Sequence, residues 1–94
     1  MTDTELLAEC KAGLGMPIDG TQFDGVLKPK LLAVKSYMAG AGVSAEMLAD
    51  DLAVGAIVVG VTDLYNLSSG DISFSAVFHV LLTQLACRSL PEVT

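Results

Sequence analysis

One histidine, two cysteines, a pair of adjacent aspartates and three closely spaced lysines are the residues of this 94-residue chain whose types could do chemistry. His79 falls between the apolar and polar sides of an amphipathic segment. With no second histidine and no cysteine and carboxylate set nearby, it reads as a partly buried or interfacial side chain, not as a metal ligand. A nucleophile built from Cys87 and His79 needs the two side chains within hydrogen-bond reach, yet eight residues on one helix separate them by about 12 Å of rise. Asp50 and Asp51 are adjacent on a predicted helix and diverge by about 100°, which is wrong for two carboxylates sharing one substrate atom. They read as a solvated patch. Nine glycines are present, but none forms a phosphate-cradling loop with its lysine and hydroxyl, and Gly40-Ala41-Gly42 joins two helices instead of following a strand. No catalytic group, cofactor site or metal site is expected.

The elements that carry these residues are all predicted helices. Thr2, Asp3 and Thr4 offer N-caps, and Leu6, Leu7, Cys10 and Leu14 recur at helical spacing until Gly15 and Pro17. A turn over Ile18 to Gln22 precedes a second helix with Leu27, Leu31, Val34 and Met38 on one stripe. Pro29 is expected in its first turn, which places the regular start near Lys28. Gly40 and Gly42 close that helix and Ser44 caps the next. The third helix, about Ala45 to Leu67, is expected to be long and central. Leu48, Leu52, Ala56 and Val59 form one stripe on it, and Val54, Ile57, Val61, Leu64 and Tyr65 form another on the opposite side. A helix apolar nearly all round needs cover on more than one side, so these residues are candidates for packing against neighbouring subunits. Gly55 and Gly60 within it either admit close packing inside the subunit or admit a neighbour. Asp71 or Ser73 is expected to begin a fourth helix carrying Phe74, Val77, Phe78, Leu81, Leu82 and Leu85, with Pro91 stopping it. The fold class is therefore all-α, a small bundle of about four helices in a single domain over residues 1–94.

Composition narrows the function classes. The chain is 52% hydrophobic and 17% charged, against about 25% charged for an average soluble domain, so part of its apolar surface is expected to meet a partner. A net charge of −6 opposes attraction to nucleic-acid phosphates and anionic lipids. No basic and apolar leader opens the sequence, so no secretory signal is expected. The uncharged stretches Leu52 to Thr62 and Ile72 to Cys87 fall short of the ~20 residues that span a bilayer. Cys10 and Cys87 both lie on or near apolar stripes, where cysteine acts as a small hydrophobe. Lys28, Lys30 and Lys35 form a basic cluster, and Glu46, Asp50 and Asp51 an acidic run. These are either two solvated faces or the unlike sides of a head-to-tail contact that closes into a ring.

The order of these features resembles the small head-to-tail connector proteins of long-tailed bacteriophages, also described as portal adaptors or head completion proteins. The likeness is carried by the opening Leu6-Leu7-Ala8-Glu9-Cys10-Lys11-Ala12-Gly13-Leu14-Gly15-Met16 and by Asp24, Leu31, Val34 and Tyr37 on the second helix. Leu64-Tyr65-Asn66 and an apolar last helix with Leu82 and Leu85 complete it. The resemblance implies a virion neck subunit, made in the bacterial host cytoplasm, that forms a ring of about twelve copies beneath the portal protein. Such a ring extends the DNA channel without sequence-specific binding and receives the next neck or tail protein, with no membrane and no cofactor involved. One departure is that members commonly grip the portal with an extended C-terminal segment, whereas only Ser89 to Thr94 follow the last predicted helix here. Read from the residues alone, the alternative is a non-enzymatic cytosolic helical interaction module, such as a dimeric regulator.

Overall fold

The computed structural model describes residues 2–66 and 74–90. Among them there are five α-helices, one short 3-10 turn and no strand: α1 (Asp3–Gly13), α2 (Asp24–Gly40), α3 (Ala45–Ala49), the 3-10 turn (Asp51–Ala53), α4 (Val54–Tyr65) and α5 (Ala76–Arg88). The chain is all-α, as its periodicity predicts.

Helices α1, α3 and α5 begin at a side-chain cap, and α1 and α2 end in a glycine closure. At α1, the Thr2 hydroxyl accepts from the Glu5 amide at 3.2 Å, and the Glu5 carboxylate accepts from the Thr2 amide at 3.1 Å. This reciprocal box satisfies two donors that have no partner inside the helix. The Thr2 amide, and secondarily the Thr2 hydroxyl donating to the same carboxylate at 3.0 Å, hold the Glu5 carboxyl below its ordinary pKa. Gly15 adopts φ 73°, which lets the Met16 amide reach back to the Lys11 carbonyl at 2.8 Å. Gly42, at φ 105°, does the same for α2, with Val43 donating to the Met38 carbonyl at 3.0 Å. Both are left-handed closures that a side chain would strain.

Two boundaries differ from the expectation. Helix α2 starts at Asp24, not near Lys28, so Pro29 lies in its second turn. The missing Pro29 amide frees the Gly25 carbonyl, and both residues are on the exposed side, where solvent can reach that group. The stretch expected as one helix from Ala45 to Leu67 is divided, with Leu67 itself outside the described residues. Asp50 turns extended, at ψ 147°, and its carboxylate accepts from the Leu52 amide at 2.9 Å. The short aspartate side chain offers the backbone a local partner that competes with the helical ladder, and the ladder breaks there. Helix α5 begins after Ser75, whose hydroxyl accepts from the Phe78 amide at 3.2 Å. The expected starts, Asp71 and Ser73, lie outside the described residues, as does Pro91.

Helix α4 packs against α1, α2 and α5. Its Ala56, Ile57 and Val61 meet Leu6 and Cys10 of α1, Leu27, Leu31, Val34 and Met38 of α2, and Phe78, Leu82 and Leu85 of α5 in one core. Gly60 sits where three helices converge. A Cβ there would lie 2.6 Å from Phe78 Cε1 and 2.8 Å from Val34 Cγ1, so the missing side chain is what lets the phenyl ring lie against the helix. Gly13 plays the same part for Val58, 2.8 Å from its notional Cβ. Polar ties lock the periphery. The Ser75 amide donates to Asp63 at 2.9 Å, and Ser89 Oγ accepts from the Ser44 amide at 2.9 Å while donating to the Leu85 carbonyl at 2.8 Å.

Candidate interaction surface

The residues that could do chemistry do not converge. His79 is exposed on α5, edge-on to Phe74 and Phe78 at ring separations of 6.4 and 6.0 Å. Cys10 is fully buried and Cys87 exposed, both as free thiols. Burial, and secondarily the charge of Glu9, pushes the Cys10 thiol up to about 11, so it stays neutral. Among the described residues, no group of three or more His, Cys, Asp or Glu side chains could hold a metal ion. Asp50 and Asp51 are both exposed, and Asp50 is engaged in capping the 3-10 turn.

The two stripes expected to face neighbouring subunits are redistributed. Ile57 and Val61 are fully buried in the chain's own core, which corrects their assignment to an outer packing surface. Val54, Val59, Leu64 and Tyr65 on α4 and Leu48 on α3 are half-buried against that core. Leu52 alone among them stands well out, 58% exposed on the 3-10 turn. The break at Asp50 is the reason: it removes Leu48 and Leu52 from the helical register of Ala56 and Val59. The three sides of α4 then receive α1, α2 and α5 from the same chain. Gly55, by contrast with Gly60, has open space around it.

The three lysines do not form one cluster. Lys28 and Lys30 are about 200° apart around α2, whereas Lys28 and Lys35, seven residues apart, share a side. Lys35 donates to Asp3 of α1 at 2.7 Å, Lys28 is exposed, and Lys30 is half-buried. Glu46 is exposed in the first turn of α3, on a shared depression with Asp50 and Arg88.

Two features were missed by the reading of the sequence. Lys11 is a buried cation: it pairs with Asp24 at the start of α2, and its ammonium donates to the Gly20 carbonyl at 2.7 Å, which fastens the connection between α1 and α2. A signal for it exists, since Lys11 lies on the line Leu7, Lys11, Leu14 within an apolar stripe. The second is the outer face of α5. Val77, which shares the apolar spacing of Phe74, Phe78 and Leu81, is 60% exposed, and Val80 is 58% exposed. Beside this face, Ala41, Gly42, Leu82, Thr83, Ala86 and Cys87 line most of an apolar depression of about 360 Å³. From Ala76 to Cys87 the helix carries no carboxylate, lysine or arginine. Among the described helices, the exposed large apolar side chains are thus on α5 and on α2, where Val26, Leu32 and Tyr37 are exposed, more than on the central helix.

No family model matches the chain, and no curated protein or solved structure is significantly similar to it. Among the described residues, no helix is long and apolar enough to cross a membrane.

Proposed function

We propose that this chain is a structural, non-enzymatic subunit of a ring-shaped head-to-tail adaptor in the neck of a bacteriophage virion. In this role it docks below the portal protein, extends the DNA channel and receives the next neck or tail component. The observation that carries the reading is the uncharged, exposed outer face of α5 on a compact helical subunit, which suits burial against protein better than exposure to solvent. The order of short sequence features shared with connector proteins supplies the particular role. The net charge of −6 is compatible with a conduit, because a wall that repels phosphates does not retain the duplex.

The test is assembly with a portal ring. Mass photometry and negative-stain imaging of the full chain mixed with portal protein are expected to show added ring density on one end of the portal. A chain that remains monomeric and leaves the portal unaltered overturns the reading.

A further inference from the structure

Among the described residues, Lys11 is the buried charged side chain, 5% exposed on α1. Its ammonium reaches two acceptors outside that helix. One is the Asp24 carboxylate in the first turn of α2, and the other is the Gly20 carbonyl, 2.7 Å away in the connection from Leu14 to Phe23. The backbone hydrogen bonds of that connection are local, as from Gly20 to Pro17 at 3.3 Å and from Asp24 to Thr21 at 3.2 Å. Pro17, Ile18, Asp19, Thr21 and Gln22 are exposed, while Leu14, Met16 and Phe23 lean half-buried on the core. The ammonium is therefore the long-range polar tie that holds this strap down.

The two partners differ in their access to water. The Asp24 side chain is 34% exposed and open to a proton from solvent, whereas the Lys11 side chain is 6% exposed. Protonation of Asp24 leaves an ammonium shut in with one carbonyl, and removing one partner of a buried pair is far more disruptive than removing both. The ammonium regains its hydration by the least costly route, displacement of the atoms that cover it. Those atoms belong to a connection of mostly exposed side chains, and such segments open more readily than packed helices. The neighbouring charges are otherwise engaged or face water. On α1, Asp3 binds Lys35, Glu5 binds Thr2 and Glu9 is exposed; on α4, Asp63 holds the Ser75 amide. Asp19 in the strap and Lys28, one turn beyond Asp24, are exposed, and Lys30 is half-buried.

We infer that the connection between α1 and α2 is an acid-released strap. Ionised Asp24 holds Lys11 and Gly20 together and keeps the strap closed. Protonated Asp24 lets it open, which withdraws Met16 and Phe23 from the edge of the core while Ile57 and Val61 of α4 stay packed. The sign follows from the pair itself: it exists only while the carboxylate is charged, so the strap is closed at neutral pH and opens as pH falls. The device is independent of the neck reading.

Hydrogen exchange of the full chain, read by mass spectrometry as protection relative to an unstructured peptide at the same pH, tests it. Moving the native chain from neutral to acidic buffer is expected to lower protection over residues 14–24 by about tenfold, with α4 changing by less than about twofold. Asp24→Asn is expected to show the same local loss at neutral pH and no further loss in acid. Adding Lys11→Met to Asp24→Asn is expected to restore most of the protection, because no ammonium is then stranded. A mere loss of the favourable acidic residue at the start of α2 would not be restored by that second change. Equal loss in α4 and the strap overturns the inference, as does native protection in Asp24→Asn or a double variant as open as the single one. The acid series on the native chain decides the matter by itself should Asp24→Asn fail to fold.

Discussion

Single residues set the tightest constraints in this molecule, and Gly60 is the clearest. Alanine is the better helix former by about 1 kcal/mol, so propensity alone favours Gly60→Ala. The added methyl would press on Phe78 and Val34 at 2.6 and 2.8 Å, and overpacking of that kind costs about 1–3 kcal/mol. Gly60→Ala is therefore expected to lower the midpoint of chemical denaturation. Gly55→Ala, with open space around it, is expected to raise it by up to about 1 kcal/mol. If both substitutions moved stability in the same direction, the three-helix approach at Gly60 would be wrong. Cys10 sets a limit of another kind. Burial raises its pKa from an ordinary value of 9.0 to about 11, so the folded chain holds the thiol proton more tightly than the unfolded chain does. Its contribution to stability is whole below pH 9.0 and is lost as pH rises toward about 11. Denaturation midpoints measured across that window are expected to fall more steeply for the native chain than for Cys10→Ala.

At the scale of elements, the ends of the helices matter more than their middles. Thr2, Ser44, Asp50 and Ser75 each supply a side-chain oxygen to an amide that the helical ladder leaves unpaired. The Ser44 and Ser75 amides in turn bind Ser89 and Asp63 on other helices, so two of these caps also fix how the helices sit together. Asp50 decides the architecture of the central stretch, because its carboxylate holds the Leu52 amide in the break between α3 and α4. Asp50→Ala is expected to destabilise the fold by about 1 kcal/mol in thermal or chemical melts. Its far-UV circular dichroism is expected to show equal or greater helicity, since alanine favours continuing the helix that aspartate interrupts. A loss of helicity would mean that the break is imposed by packing and not by the side chain.

For the molecule as a whole, the distribution of charge and apolar surface governs association more than folding. The core is assembled from all four longer helices, while Val77, Val80, Leu32 and Tyr37 remain outside it. Val80 is 58% exposed and outside the core, so Val80→Lys is expected to leave the stability within about 0.5 kcal/mol of the native chain. Sedimentation velocity at high concentration is expected to show reduced self-association for the same variant. A Val80→Lys chain that melts much earlier would place Val80 in the core, and one that associates as before would clear α5 of a role in assembly.

The local chemistry of this chain was legible in its sequence because local structure depends on neighbours a few residues apart. The all-helical class, the stripe of Leu27, Leu31, Val34 and Met38, the Ser44 cap and the closure at Gly42 all follow from spacing and residue type. Tertiary structure decided which apolar residues are spent inside. Val54, Ile57 and Val61 carry the same periodic signal whether α4 is covered by its own chain or by another, and only the placement of α1, α2 and α5 around it sends Ile57 and Val61 inward. The same placement leaves Val77 and Val80 outward on a helix whose apolar spacing includes Val77, and it brings Lys35 of α2 onto Asp3 of α1. Burial is a property of the assembled helices. Periodicity fixes which side chains share a face, but which face meets a partner depends on contacts between residues far apart in the chain.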